Sequence, residues 1–298
     1  MQRCGSLLVA SLLGATLLPG CGGGQKCQST YEPSTTEPRG FLWEATAEGR
    51  TIILLGTHQA AGRGDVPARA WQDLRSSNVF VAEVDEVDVG DHYKSGESWA
   101  KAFTLPKGQS LMKLLSSDDY FDLQTLLKGA QITVPPGLPN EGQVIPFAQL
   151  KPWVAMLLLA KQSQYFPSPS LSEALLDAAR DAKLDVEFFD TWEEQVAFLD
   201  ESGTVAKLAQ AIRDYPRMRC EIKDSVAAFR MGDDAALAAF VAADGDPLVA
   251  RVQRWMPRLE GFAEGGKRVF LAVGLSHLVG PNGIVTRLQA RGYQLKRL

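Results

Sequence analysis

The sequence predicts an α/β domain whose mixed sheet is built from the N- and C-terminal segments and whose middle is helical. Apolar runs typical of strands occur towards both ends of residues 40–298, and helical periodicity dominates between them. The chain has 298 residues, of which 45% are hydrophobic and 22% are charged, so it has enough apolar material for a sizeable core. No point of division is evident, and a single domain over residues 40–298 is therefore expected.

The predicted domain opens with a β-hairpin, because the runs FLWEAT and TIILLG flank the turn-forming segment Ala47–Arg50. A helix is expected over Val66–Ser77, and Pro67 suits its first turn. A strand follows at Val79–Val84. Residues 86–117 are mixed and polar, and we interpret them as an insertion.

The middle of the chain is predicted to be helical around one short strand, Val186–Phe189. Prolines at both ends and in the middle of Pro135–Pro146 predict a loop there. The chain then ends as strand, loop, helix and strand in the segments RVFLAVG, LSHLVGPNG, IVTRLQARG and YQLKRL. The helices expected in the middle are Asp118–Lys128, Pro152–Gln164, Leu171–Lys183, Glu193–Glu201 and Val205–Glu260, the last with breaks near Pro216 and Gly245.

The first 20 residues have the layout of an export signal. Arg3 precedes the apolar run Ser6–Leu18, which is too short to span a bilayer comfortably. Leu18-Pro19-Gly20-Cys21 resembles the bacterial lipobox, which implies cleavage before Cys21 and lipidation of its sulfur. We expect a signal peptide at residues 1–20, a flexible linker at residues 21–39, and a lipid anchor in the membrane of the bacterial cell envelope, at the periplasm or outer membrane. Plain signal cleavage and a buried N-terminal helix are the alternatives.

The charge balance and the cysteines limit the possible partners. Lys and Arg total 31, Asp and Glu total 35, and the pI is about 5.5, which argues against a nucleic-acid surface. Besides Cys4 in the signal and the anchor Cys21, the chain has Cys27 and Cys220. These two can pair in an oxidising compartment, although the sequence does not show whether they do.

Two of the three histidines occupy equivalent positions. Each follows a strand-like run and a glycine, in Gly56-Thr57-His58 and in Gly274-Leu275-Ser276-His277. Polar side chains placed after buried strands form sites in α/β proteins, so we interpret both histidines as functional. Satisfied core or loop histidines are the structural alternative.

Glu83 interrupts the apolar run VFVAEV. A carboxylate in such a run is costly to bury alone, so Glu83 is expected to be paired, metal-bound or catalytic. A buried hydrogen bond to a neighbouring loop is the structural alternative.

Several segments over about residues 40–298 resemble the TraB/GumN family, which is related to the Tiki proteins. The segments are FLWEAT…TIILLGTHQA, VFVAEVD, LKPWVAMLLL, DTWEEQVAF, AAFRMGDDAAL, RWMPRLE and VFLAVGLSHLVGPNGIVTRLQARGYQL, of which GLSHLVGPNG is the most specific. Members are proposed metal-dependent hydrolases, and the Tiki branch are membrane-anchored metalloproteases. The family hallmark is two Gly-x-x-His motifs and a glutamate on an early strand, which by resemblance correspond to His58, His277 and Glu83.

The resemblance implies a divalent metal ion (Mn, Co or Zn) held by His58, His277 and Glu83, which would activate water for attack on a peptide or ester carbonyl. Glu83 is either a ligand or the general base. Arg251 either stabilises an oxyanion, holds a substrate carboxylate, or forms a surface ion pair on a helix. Asp190 joins the candidate site because relatives often have glutamate there.

The first histidine motif departs from the family pattern, because one residue instead of two separates Gly56 from His58. A one-residue change at the end of a strand can turn a side chain to the other face. The leading hypothesis is an envelope-anchored metal-dependent hydrolase that acts on peptides or proteins. The main alternative is a catalytically inactive binding or accessory lipoprotein, and the third is an esterase-like hydrolase.

Overall fold

The computed structural model describes residues 37–85, 96–130, 132–134, 142–162, 167–235, 237 and 246–298. These residues group into two compact units. The described residues of one unit lie within Asp85–Tyr165 and Trp192–Cys220. Those of the other unit lie within Ser29–Val84, Phe166–Thr191 and Glu221–Leu298. The single domain over residues 40–298 stays a prediction. The predicted signal peptide and most of the predicted linker lie outside the described residues.

The strands and helices of both units follow, with labels in chain order. The strands are β1 Leu42–Ala47, β2 Arg50–Thr57, β3 Val79–Ala82, β4 Ile132–Thr133, β5 Val144–Ile145, β6 Asp185–Phe188, β7 Arg268–Gly274 and β8 Gln294–Arg297. The helices are α1 Ala68–Arg75, α2 Gly96–Phe103, α3 Leu111–Leu114, α4 Ser117–Leu126, α5 Pro152–Gln162, α6 Leu171–Asp181, α7 Trp192–Ser202, α8 Val205–Met231, α9 Asp246–Phe262, α10 Leu275–Leu278 and α11 Ile284–Ala290. No helix among the described residues is long and apolar enough to cross a membrane.

The second unit is built on a mixed six-stranded sheet with the strand order β6-β3-β7-β2-β1-β8. β1 pairs antiparallel with both β2 and β8, while β6, β3, β7 and β2 are parallel to one another. The central runs Ile52–Leu55 and Val269–Val273 are buried, as expected for parallel strands covered on both faces. The α/β fold, the N-terminal hairpin and the union of the two chain ends in one sheet are therefore confirmed.

Three local predictions are wrong. Val144–Ile145 is a strand in the described end of the predicted loop, because it pairs with β4. Leu275–Leu278 is a short helix in the segment predicted as a loop after β7. Helix α8 continues through Pro216 without a break, because proline removes only one backbone hydrogen bond and the long helix keeps the others. The break predicted near Gly245 lies outside the described residues.

Candidate active site

Four candidate residues follow the carboxyl ends of the four parallel strands. His58 follows β2, Glu83 follows β3, Asp190 follows β6, and His277 follows β7 within the single turn of α10. Parallel strands end at one edge of their sheet, which is where α/β proteins bind ligands. Arg251 belongs to α9, in the same unit. The sheet therefore brings to one edge residues that lie far apart in the sequence.

Glu83 joins the end of β3 to the end of β7. Its Oε1 accepts a hydrogen bond of 2.6 Å from the backbone N–H of Gly274 and lies 3.4 Å from Nδ1 of His277. A Cβ on Gly274 would lie 3.1 Å from that Oε1 and 3.4 Å from that Nδ1, so the glycine gives both side chains room to approach the backbone. The Glu83 side chain is 20% exposed and the His277 side chain is 6% exposed, so Glu83 is the more accessible residue of the pair.

Arg251 supplies the positive charge of the cluster. Its Nη1 lies 3.4 Å from Oε2 of Glu83 and 3.4 Å from Nε2 of His277, and its Nε donates to Oδ2 of Asp190 at 2.6 Å. Arg251 is only 1% exposed, so the alternative of a surface ion pair is wrong. Asp190 is likewise buried, and its backbone N–H donates to the Glu83 carbonyl at 2.8 Å. The structure therefore brings together four of the five predicted site residues.

Trp255, which was not predicted as a site residue, contacts three of these side chains. Its Nε1–H donates to Oδ1 of Asp190 at 2.7 Å, and its ring centroid lies 4.8 Å from that of His277. The guanidinium of Arg251 lies over the same indole, with Cζ 4.6 Å from the ring centroid. The four-residue spacing of Arg251 and Trp255 places them on one helix face, and this spacing is a sequence signal for the contact.

The neighbours of Glu83 determine its ionisation. Burial has the largest single effect and raises the pKa of the carboxyl. His277, Arg251 and the Gly274 N–H act in the opposite direction, and together they lower the pKa of Glu83 below its usual value. Glu83 is therefore ionised at neutral pH.

In the neutral form of His277, the same contacts assign the tautomer. A guanidinium can only donate hydrogen bonds, so Nε2 of His277 is the acceptor opposite Arg251. The ring proton of neutral His277 is then on Nδ1, on the side of the Glu83 carboxylate. The Glu83 carboxylate thus lies 3.4 Å from one ring nitrogen, and the Arg251 guanidinium lies 3.4 Å from the other.

His58 does not join this cluster, since both of its ring nitrogens have other partners. Nδ1 accepts from the Ala60 N–H at 3.1 Å, so Nε2 carries the proton and lies 3.0 Å from Oγ of Ser225. Ser225 in turn donates to the carbonyl of Ile222 at 2.8 Å. Burial lowers the pKa of His58 to about 4, although the charge of Asp65 acts in the opposite direction. His58 is thus a neutral, hydrogen-bonded histidine.

The shorter first motif accounts for this difference. In the register of β2 and β7, Gly56 lies opposite Val273, and it is Thr57 that lies opposite Gly274. A Cβ on Gly56 would lie 2.7 Å from Cδ1 of Leu275, so this glycine makes room for α10 and does not approach a site side chain. The two glycines therefore have different roles, which their similar sequence settings do not reveal.

The predicted metal ion does not fit these residues. Within the described part of the chain, no group of three or more His, Cys, Asp or Glu side chains is placed to hold a metal ion. Glu83 and His277 offer two ligands, but the guanidinium of Arg251 contacts both Oε2 and Nε2. The third predicted ligand, His58, has neither nitrogen available. Mn, Co or Zn would need a different arrangement of donors.

The fold and this cluster define an α/β protein with a carboxylate–imidazole pair at the carboxyl edge of its parallel strands. The sequence profile of the TraB/PrgY/gumN family matches residues 41–297, which is most of the chain. The chain belongs to this family, and the predicted resemblance is confirmed. No curated protein and no solved structure matches the chain.

Proposed function

We propose that the protein is a hydrolase of peptide or ester bonds whose reacting group is Glu83. The observation that carries this proposal is the contact of one ionised carboxylate, on a side chain that is 20% exposed, with His277, Arg251 and the Gly274 N–H. This carboxylate is ionised, accepts a hydrogen bond from the Gly274 N–H and lies at the edge of the sheet where ligands bind, so it can accept a proton from a water molecule.

In the proposed reaction, Glu83 takes a proton from a water molecule as that water attacks the substrate carbonyl. Glu83 then gives the proton to the leaving amine or alcohol, so protons balance over one turnover. His277 and Arg251 keep the carboxylate ionised and oriented between these two steps. The proposed reaction uses no divalent metal ion, because Arg251 already contacts both Oε2 of Glu83 and Nε2 of His277.

Substitution of the pair tests the proposal. The full-length protein is incubated with a peptide mixture and with an activated ester, and products are followed by mass spectrometry and absorbance. We expect Glu83→Gln to lower kcat at least about 100-fold, because general acid–base catalysis contributes on the order of 10²–10⁴-fold. Glu187→Gln is the matched control, since Glu187 is exposed on β6. Equal activity of these two variants would contradict the proposal.

A second candidate function is a binding or accessory protein that keeps the fold without catalysis. The observation that favours it is the engagement of His58 by Ala60 and Ser225, which leaves the cluster with one histidine. Wild-type protein that hydrolyses neither substrate class, yet folds normally, would favour this candidate over the hydrolase.

We also propose that the chain is exported and anchored to the envelope membrane through a lipid on Cys21. The disulfide bond of Cys220 supports export, because disulfides persist in oxidising compartments. Cys21→Ser is expected to move the protein from the membrane fraction to the soluble fraction and to abolish lipid labelling. Unchanged membrane attachment of this variant would refute the anchor.

A further inference from the structure

The position of Arg251 differs from that of an ordinary structural arginine. It is 1% exposed, and its guanidinium contacts a carboxylate on each side and an imidazole nitrogen in between. Glu83, His277 and Asp190 are the types of side chain that bind divalent cations. In this protein the group on which the three converge is itself a cation.

We propose that the guanidinium of Arg251 is the permanent cation of this site and takes the place of the divalent metal ion that the sequence suggests. A metal ion bound by Oε2 of Glu83 and Nε2 of His277 would need the position next to Nη1, which lies 3.4 Å from both atoms. Like charges at that separation repel each other, and the guanidinium does not lose its charge at physiological pH.

The side chains around Arg251 make its displacement unfavourable. Asp190 accepts from Nε at 2.6 Å, and the indole of Trp255 lies beneath Cζ at 4.6 Å. Trp255 is also bonded to Asp190 and packs on Phe189 with ring centroids 4.8 Å apart. A swing of Arg251 out of the site would leave the buried Asp190 carboxylate without its closest cationic partner. Arg251 is thus a positioning residue held from two sides.

Metal binding by the wild-type protein is the first test, and it does not depend on any reaction that the site performs. The full-length chain is treated with a chelator, dialysed, and titrated separately with Mn²⁺, Co²⁺ and Zn²⁺, followed by elemental analysis. We expect no stoichiometric metal and no metal-dependent rise in Tm. One equivalent of bound metal that is lost in His277→Gln would overturn the proposal. Lack of hydrolase activity would leave this result unchanged, so the two proposals fail separately.

Chemical rescue is the second test. Arg251→Gly is expected to lower Tm, and a low concentration of guanidinium chloride is expected to restore part of the loss, while the same concentration of NaCl or urea does not. Arg254→Gly is the matched control from the same helix, because Arg254 is 55% exposed and lies 3.9 Å from Asp190. We expect no rescue of this control by guanidinium. Recovery of Arg251→Gly with Mn²⁺ or Zn²⁺ but not with guanidinium would overturn the proposal.

Discussion

The carboxylate of Glu83 accepts a 2.6 Å hydrogen bond from the backbone N–H of Gly274 and thereby links the carboxyl ends of two paired strands, β3 and β7. This bond fixes Oε1 at the start of the turn that carries His277. The geometry of the candidate pair thus depends on backbone as well as on side chains. The Glu83–His277 pair should therefore be sensitive to substitution of Gly274.

Gly274→Ala is expected to disturb the pair. The new Cβ would lie 3.1 Å from Oε1 of Glu83, so that carboxylate must shift by a few tenths of an ångström, and it would be in contact with Nδ1 of His277 at 3.4 Å. Overpacking of this kind costs about 1–3 kcal/mol, which urea unfolding measures. Gly261→Ala in α9 is the control, because a Cβ there meets nothing within 4 Å. If both variants are as stable as the wild type, the close approach at Gly274 has no energetic consequence.

Asp190→Asn is expected to be strongly destabilising. The substitution leaves the buried guanidinium of Arg251 without the carboxylate that Nε contacts at 2.6 Å, and the loss of one partner of a buried pair costs about 3–5 kcal/mol. Asp185→Asn is the matched control, because Asp185 is 68% exposed and lies 3.5 Å from Lys267. Its free energy of unfolding should change by less than about 1 kcal/mol. Similar losses for the two variants in denaturant unfolding would refute this reading of Asp190.

We expect the lowered pKa of His58 to reduce the stability of the folded protein in mild acid. Its pKa is about 4 in the folded protein, against the ordinary value of 6.5 that the unfolded chain keeps, so the unfolded chain binds more protons between these values. His58 therefore does not reduce the free energy of unfolding above pH 6.5. The free energy of unfolding falls as the pH decreases from 6.5 to about 4, because the unfolded chain takes up a proton that the folded protein does not. The shift corresponds to at most roughly 3 kcal/mol, and partial exposure of the ring reduces it.

Urea unfolding across this window, with His58→Gln as the comparison, measures the effect. The variant should show a flatter stability profile between pH 4 and pH 6.5 than the wild type. Glu83 adds a separate loss at lower pH, because its pKa lies below its ordinary value and it is protonated only there. Parallel profiles of wild type and variant would show that His58 titrates normally.

Cys220 is expected to be linked to Cys27. Cys220 is disulfide-bonded, and the other three cysteines of the chain lie outside the described residues. Cys27 is the one cysteine that neither the predicted signal nor the predicted lipid anchor uses, so this pairing is our prediction. Cys220→Ser should cost roughly 2–4 kcal/mol of stability. Peptide mapping without reductant identifies the partner, and a linked peptide containing Cys21 would disprove both the pairing and the lipid anchor.

Much of the fold was predictable because hydrophobic periodicity is a local property. The apolar runs that became β2 and β7 are legible in the sequence, and so is the anomaly of Glu83 inside VFVAEV. Two of the three wrong predictions have physical causes that lie beyond the local sequence. Val144–Ile145 is a strand because of its partner, and α8 passes Pro216 because the rest of a long helix supports it. Neither cause is visible in a short window of sequence.

The sequence by itself determined the fold class, the family, and the identity of the carboxylate and the second histidine as unusual residues. Only the tertiary structure decided their partners. Arg251 and Trp255 reach His277 from α9, and Ser225 on α8 engages His58, across sequence distances that periodicity does not span. Periodicity identifies the buried face of each element, but packing decides which side chain fills the space at the ends of the strands. In this protein that side chain is a guanidinium.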